Sequence, residues 1–140
     1  CTALAGARIL MAEDNSVNMM IAVAMLEQWG VVVSQAADGE QALEAVAQAE
    51  RAGQPFDAVL MDVQMPAMSG YEVTRLLRQR HDAQALPIIA LTAAALTSER
   101  ELALAAGMNA FLTKPIDAQR LQEALLAALG ARRASRAATP

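Results

Sequence analysis

The chain alternates between short runs of apolar residues and longer stretches with helical periodicity. Five short runs have the length and the aliphatic content that are typical of buried strands. They comprise residues 8–12, 31–33, 57–62, 87–92 and 110–113. Because these runs are almost continuously apolar, they predict strands that are covered on both faces, as in a parallel sheet.

The stretches between and after these runs carry apolar residues at helical spacing, and the first of them is apolar over most of its circumference, which predicts helices. The predicted helices comprise residues 17–29, 40–51, 70–80, 102–106 and 117–129. Polar side chains precede them and supply capping oxygens. The predicted capping residues are Asn15 or Ser16, Ser69, Ser98 and Asp117. Ser69 and Ser98 are each followed three positions later by a glutamate, which is the pattern of a capping box.

Strand and helix therefore alternate five times along 140 residues. Such alternation predicts an α/β fold with a five-stranded parallel sheet, doubly wound in the flavodoxin-like (βα)5 arrangement. We expect one domain over residues 7–129. The helical pattern stops at Gly130, so residues 130–140 are expected to form a flexible tail or linker.

Composition narrows the classes of function. The formal net charge is −4 and aromatic residues make up 3% of the chain. These values argue against a basic nucleic-acid surface and against a stacking platform for single strands. The one cysteine, Cys1, favours a reducing compartment. No apolar run approaches the ~18 residues of a membrane span, and no signal peptide is visible. The chain lacks an initiator methionine, so we expect a piece of a longer protein or a processed product.

Candidate chemistry lies directly after the predicted strands. Glu13 and Asp14 follow the first, Asp62 ends the third, Thr92 ends the fourth, and Lys114 follows the fifth. The carboxyl ends of parallel strands share one edge of the sheet, so these side chains are expected to converge. Clustered carboxylates repel one another unless a cation joins them, and Mg²⁺ prefers oxygen ligands. One carboxylate could then attack phosphorus and form an aspartyl phosphate, with the hydroxyl and the ammonium on the phosphoryl oxygens.

Taken singly, each of these features has a simpler explanation. An acidic pair after a strand is a common helix start, Lys114 with the following proline forms a turn, and Thr92 could cap a helix. Their joint occurrence in this order is what favours a phosphoryl-transfer site.

At this point the sequence resembles a response-regulator receiver domain of two-component signalling. The resemblance covers residues 7–129 and rests on four motifs. The motifs are M-A-E-D-N at 11–15, V-L-M-D-V-Q-M-P-A-M-S-G at 59–70, A-L-T-A at 90–93 and F-L-T-K-P at 111–115. The wording of the first two is similar to receivers that are attached to hybrid sensor histidine kinases.

The resemblance implies a role for each matching residue. Asp62 would accept a phosphoryl group from a phosphohistidine. The implied ligands of Mg²⁺ or Mn²⁺ are Glu13, Asp14, Asp62 and the backbone carbonyl of Gln64. Thr92 and Lys114 would bind phosphoryl oxygens. Thr92 and Phe111 would be the switch residues, and residues 93–111 would form the surface that changes on phosphorylation.

The resemblance also implies partners and a location. The partner would be the dimerisation and phosphohistidine domain of a histidine kinase, or a histidine phosphotransfer domain, and the first helix often docks such partners. Met19, Met20 and Met25 on that helix then serve the core and a partner surface. The domain would contact neither nucleic acid nor membrane and would lie in the cytoplasm. It would catalyse only its own phosphorylation and slow dephosphorylation, and its parent would be a histidine kinase.

Four alternatives remain at this stage. The chain could be a stand-alone response regulator. It could be a haloacid-dehalogenase-like phosphatase with an aspartate nucleophile, although Gln64 stands where such enzymes have a second acid. It could be a flavodoxin-like cofactor binder, although Glu13 and Asp14 would repel a phosphate. It could be a degenerate receiver that only docks, although Asp62 and its neighbours are intact. The sole histidine, His81, is expected at the surface, away from the strand ends.

Overall fold

A computed structural model describes residues 5–65, 68–81, 86–92, 97–114 and 116–137. Strands and helices alternate as the hydrophobic pattern predicts. The strands are β1 (Arg8–Ala12), β2 (Val32–Ala36), β3 (Ala58–Asp62), β4 (Ile88–Thr92) and β5 (Ala110–Thr113). The helices are α1 (Ser16–Gln28), α2 (Gly39–Arg51), α3 (Gly70–Arg78), α4 (Thr97–Ala106) and α5 (Ala118–Ala137).

The strands form one parallel sheet in the order β2-β1-β3-β4-β5. The predicted doubly wound (βα)5 fold is therefore confirmed. The chain first runs from β1 to β2 at one edge of the sheet. It then crosses back over β1 to β3 and continues through β4 to β5 at the other edge, so the strand order reverses between β1 and β3. In such sheets the crevice at the carboxyl ends of the strands, beside this reversal, is where ligands bind.

Two apolar cores cover the two faces of the sheet, and β3 and β4 are buried along their whole length. Leu10, Val59 and Ile88 point to the core that includes Val46 and Val73. The alternate side chains of these strands point to the other face of the sheet, where they pack against α1 and α5 in the second core. Its fully buried members include Ile9, Leu60, Ile89, Leu26, Leu121 and Leu125. Burying one such side chain contributes about 2 kcal/mol, so the sheet is a firm base for its carboxyl edge.

Three of the predicted caps are present. Asn15 Oδ1 accepts hydrogen bonds from the backbone N–H groups of Val17 and Asn18, both at 3.0 Å. Ser69 Oγ accepts from the residue three positions on at 3.3 Å, and Asp117 Oδ1 accepts from the residue two positions on at 3.0 Å. The fourth prediction was wrong, because α4 begins at Thr97 and Ser98 lies within it.

The structure differs from the sequence pattern at other points. The last helix continues through Gly130 to Ala137, in the segment assigned to a tail. Alanine and arginine favour helix strongly enough to offset one glycine. The second strand lies at Val32–Ala36 rather than 31–33, because an edge strand tolerates polar residues. On α3, Leu77 is buried whereas the neighbouring Leu76 is 40% exposed.

None of the helices in the described part of the chain is long and apolar enough to cross a membrane.

Candidate active site

The five predicted residues lie at the same edge of the sheet. Glu13 and Asp14 directly follow β1, Asp62 is the last residue of β3, Thr92 is the last of β4, and Lys114 directly follows β5. Glu13, Asp62 and Thr92 are buried, Lys114 is half-buried and Asp14 is exposed. The predicted convergence at the carboxyl ends of the strands is therefore seen in the fold.

Lys114 joins two of the acids. Its Nζ lies 3.0 Å from Glu13 Oε2 and 3.2 Å from Asp62 Oδ2, and it donates a hydrogen bond to Glu13 Oε1 at 3.2 Å. Burial alone would lower the pKa of Lys114, but the hydrogen bonds and charges of the two acids outweigh burial and raise that pKa. The backbone N–H of Lys114 also donates to the carbonyl of Thr92 at 2.7 Å. The ammonium is therefore charged and held over the carboxylates.

Glu13, Asp14 and Asp62 form what we call the acidic cluster. One carboxylate oxygen from each lies within 4.8 Å of the others. Glu13 Oε2 is buried, and the ammonium of Lys114 lies 3.0 Å from it. That one ammonium faces three carboxylates, so negative charge remains that a further cation would offset. Three carboxylates with one exposed side are also the ligands that Mg²⁺ prefers. The residues present therefore fit a divalent cation.

Asp62 carries the most perturbed carboxyl group. Burial, with the charge of Glu13 added to it, raises the pKa of Asp62 from 3.8 to about 6. The backbone N–H of Gln64, which donates to Asp62 Oδ1 at 3.0 Å, and the ammonium of Lys114 oppose that rise. The two oxygens thus have different partners, one a backbone donor and the other a cation. A second cation beside Asp62 would favour its ionised form.

Two further residues, Asn18 and Gly70, shape this site, although neither was among the predicted site residues. Asn18 Nδ2 donates to Glu13 Oε1 at 3.5 Å from the first turn of α1. A Cβ atom on Gly70 would overlap the backbone carbonyl oxygen of Asp62, so only glycine lets α3 begin this close to β3. The signals were present in the sequence. Asn18 lies three positions after the end of the M-A-E-D-N motif, and the motif at 59–70 ends at Gly70.

The remaining candidates occupy distinct surroundings. Phe111 is half-buried against the core, with the guanidinium carbon of Arg100 5.9 Å from its ring centre. The side chain of Gln64 is exposed. Residues 93–96, which begin the predicted switch surface, lie outside the described residues, as does Pro115. His81 does not belong to the site. Its Nε2 lies 3.0 Å from Glu50 Oε1, and its side chain is only 14% exposed.

Comparison with known proteins gives a consistent result. The response regulator receiver domain family matches residues 9–126 of the chain. The sensor histidine kinase GacS of Pseudomonas protegens is 42% identical over 85% of this chain, and BarA of Escherichia coli K12, a signal transduction histidine-protein kinase, is 38% identical over 84%. The chain spans only 13% and 12% of these two relatives.

Solved structures resemble the whole domain. The receiver domain of a sensor histidine kinase from Pseudomonas aeruginosa is 45% identical, with a TM-score of 0.76 over 90% of this chain and 99% of that one. That structure holds a magnesium ion in its active-site cleft. The chemotaxis response regulator CheY4 of Vibrio cholerae is 29% identical, with a TM-score of 0.77 over 89% and 99% of the two chains.

Proposed function

The chain belongs to the response regulator receiver domain family, and from this premise we propose that it accepts a phosphoryl group on Asp62. One observation carries the proposal. Asp62 is a buried carboxylate at the carboxyl edge of the sheet, with a lysine ammonium 3.2 Å from one of its oxygens and two further acids within 4.8 Å. Attack on phosphorus needs a positioned carboxylate and nearby positive charge, and this group has the first and part of the second.

In the proposed reaction a carboxylate oxygen of Asp62 forms a bond to the phosphorus of a phosphohistidine. The bond from phosphorus to the imidazole nitrogen breaks, and its electron pair leaves with the nitrogen. Lys114 then pairs with a phosphoryl oxygen instead of with the free carboxylate. Thr92, which ends the neighbouring strand, supplies a hydroxyl to another of these oxygens. Thr92 and Phe111 are the proposed switch residues.

Mg²⁺ is the proposed cofactor, and Mn²⁺ is its substitute. The residues that would hold it are the acidic cluster and the backbone carbonyl of Gln64. When bound, the cation would neutralise charge that gathers on the phosphoryl oxygens. The support from this chain is that Glu13, Asp14 and Asp62 each place a carboxylate oxygen within 4.8 Å of the others, while the ammonium of Lys114 pairs with only two of these acids.

The first helix is the proposed docking surface for the phosphohistidine partner. Val17, Met20 and Ile21 are 56%, 64% and 45% exposed on α1, beside the site. Asn18 and Ile21 line a small cavity of about 70 Å³ together with Lys114 and Ile116. An apolar surface that adjoins the reactive lysine suits a partner helix that must bring its phosphohistidine to Asp62. The partner is a kinase phosphohistidine domain or a histidine phosphotransfer domain.

We further propose that residues 7–129 form the receiver unit of a hybrid sensor histidine kinase and act in the cytoplasm. The support is the sequence identity to kinases such as GacS and BarA, of which this chain matches a small part. The kinase activity and the signal belong to the rest of such a protein.

Incubation with acetyl phosphate and Mg²⁺, followed by intact-mass measurement, tests the proposal. The expected result is a gain of one phosphoryl group by the native chain and none by Asp62→Asn. Asp57→Asn is the matched control, because Asp57 precedes the same strand at its opposite end, where it accepts a hydrogen bond from the backbone of Arg8 at 2.9 Å. This control is expected to be phosphorylated. Continued turnover of small phosphate esters would instead support a phosphatase.

A further inference from the structure

A half-buried arginine at the end of α3 holds together the chain segments that enter β4 and β5. Arg78 Nε donates to the carbonyl of Gly107 at 2.8 Å, and Nη1 donates to the carbonyl of Leu86 at 2.8 Å and to that of His81 at 3.3 Å. Its Nη2 donates to Asn109 Oδ1 at 2.8 Å. The planar guanidinium suits several such bonds at once, which a lysine could not make.

The segment before β5 is built to receive this side chain. Gly107 has a φ of 105°, and a Cβ atom there would lie 2.8 Å from Arg78 Cγ. Asn109 makes a reciprocal pair with the first residue of β4. Its Oδ1 accepts from the backbone N–H of Ile88 at 2.9 Å, and its own N–H donates to the carbonyl of Ile88 at 2.8 Å. These bonds fix where β5 begins relative to β4.

The start of β5 matters because its far end carries Lys114. β5 lies at the edge of the sheet, and all four of its residues are only half-buried. Packing alone therefore fixes its register weakly. The bonds at Asn109 hold one end of β5, and the bond from the backbone N–H of Lys114 to Thr92 holds the other. The reach of Lys114 Nζ to Asp62 depends on this register.

We propose that Arg78 is a positioning residue for Lys114, which acts through Asn109 and the register of β5. The inference rests on the proposed function, since the reaction that it serves is phosphorylation of Asp62. The acidic cluster is carried by β1 and β3, which Arg78 does not contact through these bonds. Metal binding and phosphoryl transfer should therefore respond differently when Arg78 is removed.

The first test is Arg78→Ala in the full chain. The rate of phosphorylation by acetyl phosphate is expected to fall about tenfold, as for a reactive group moved by a fraction of an ångström. The dissociation constant of Mg²⁺, measured by calorimetry, is expected to be no larger than that of the native chain. Arg75→Ala, an exposed arginine on the same helix, is the control and should change neither value. A parallel loss of Mg²⁺ affinity and phosphorylation would overturn the proposal, since it indicates general damage to the fold.

The second test is a double-mutant cycle. In a Lys114→Ala background, Arg78→Ala should lower the rate of phosphorylation by less than about twofold, because the group that Arg78 positions is already absent. A full tenfold fall of the phosphorylation rate in that background would refute the inference. If Arg78→Ala fails to fold, Asn109→Ala removes the two bonds that its Oδ1 accepts, from Arg78 and from Ile88, leaves the other bonds of Arg78 in place, and carries the same expectations.

A crystal structure of Arg78→Ala gives a readout that does not depend on phosphorylation. The distance from Lys114 Nζ to Asp62 Oδ2, 3.2 Å in the native chain, is expected to increase. An unchanged distance contradicts the proposal. If the native chain takes up no phosphoryl group at all, the proposed function fails, while this distance still decides the role of Arg78.

Discussion

Replacing Asp62 by asparagine is expected to stabilise the metal-free protein above pH 6. The carboxyl group is 2% exposed, and burial together with the charge of Glu13 raises its pKa from 3.8 to about 6. Asparagine has the shape of the protonated acid, and its oxygen can still accept the backbone hydrogen bond of Gln64, now 3.0 Å long. The substitution therefore removes the cost of a buried charge and keeps most of the packing.

The magnitude follows from the two pKa values. A difference between 3.8 and about 6, at 1.36 kcal/mol per pH unit, corresponds to about 3 kcal/mol. In this interval the native state of Asp62 binds more protons than the unfolded state, so stability falls as the pH rises. The contribution of Asp62 is complete below pH 4 and is lost above pH 6. The free energy of unfolding of Asp62→Asn should thus equal that of the native chain near pH 4 and exceed it by about 3 kcal/mol at pH 7.5.

Urea unfolding in the presence of a chelator, repeated from pH 4 to pH 8 for both proteins, measures this difference. Asp14→Asn is the control, because its exposed carboxylate should change the free energy of unfolding by less than about 1 kcal/mol. Mg²⁺ at 100 times its dissociation constant should stabilise the native chain by about 2.7 kcal/mol and Asp62→Asn by less. A difference between the two proteins that does not vary with pH would refute the reasoning, as would a less stable asparagine variant at pH 7.5.

Four other substitutions test separate parts of the structure. Gly70→Ala should lower the free energy of unfolding by about 1–3 kcal/mol in urea titrations and also slow phosphorylation, because its methyl group would overlap the carbonyl of Asp62. Gly130→Ala, with open space around it on α5, should be neutral or stabilising by up to about 1 kcal/mol, and equal losses in the two variants would contradict the packing argument. Met20→Glu, on the exposed face of α1, should slow phosphoryl transfer from a phosphohistidine protein but leave labelling by acetyl phosphate unchanged; a loss with both donors would exclude a docking role. Gln64→Ala should change the lifetime of the aspartyl phosphate, followed by intact mass over time, because its exposed side chain, two positions after Asp62, would contact a water molecule that hydrolyses the phosphoryl group; an unaltered lifetime would exclude that role.

Much of the fold could be predicted because its pattern is local. A buried parallel strand is continuously apolar, and a cap such as Asn15 acts within its own first turn. The convergence of the site followed from topology alone, since every strand of a parallel sheet ends at the same edge. Asp62 and Lys114 could therefore be assigned to one site although they are far apart in sequence.

Other features depend on packing that no local pattern records. The bonds of Arg78 join segments that are separated by as many as 31 positions, and the arginine resembles any other at a helix end. The exposure of Leu76 depends on how α3 packs against α2. The length of α5 could not be read past Gly130, because the apolar periodicity ends there while helix-forming residues continue. Tertiary context decides such cases.

The backbone N–H of Lys114 donates a hydrogen bond to the carbonyl of Thr92 at 2.7 Å, which joins the backbone segments that carry these two site residues. It ties the last residue of a fully buried strand to the first residue beyond the edge strand. The bond would have to break before these two backbone segments could separate. The side chains of Lys114 and Thr92 can change partners while the bond stays in place, so such a change need not alter the hydrogen bonding of the sheet.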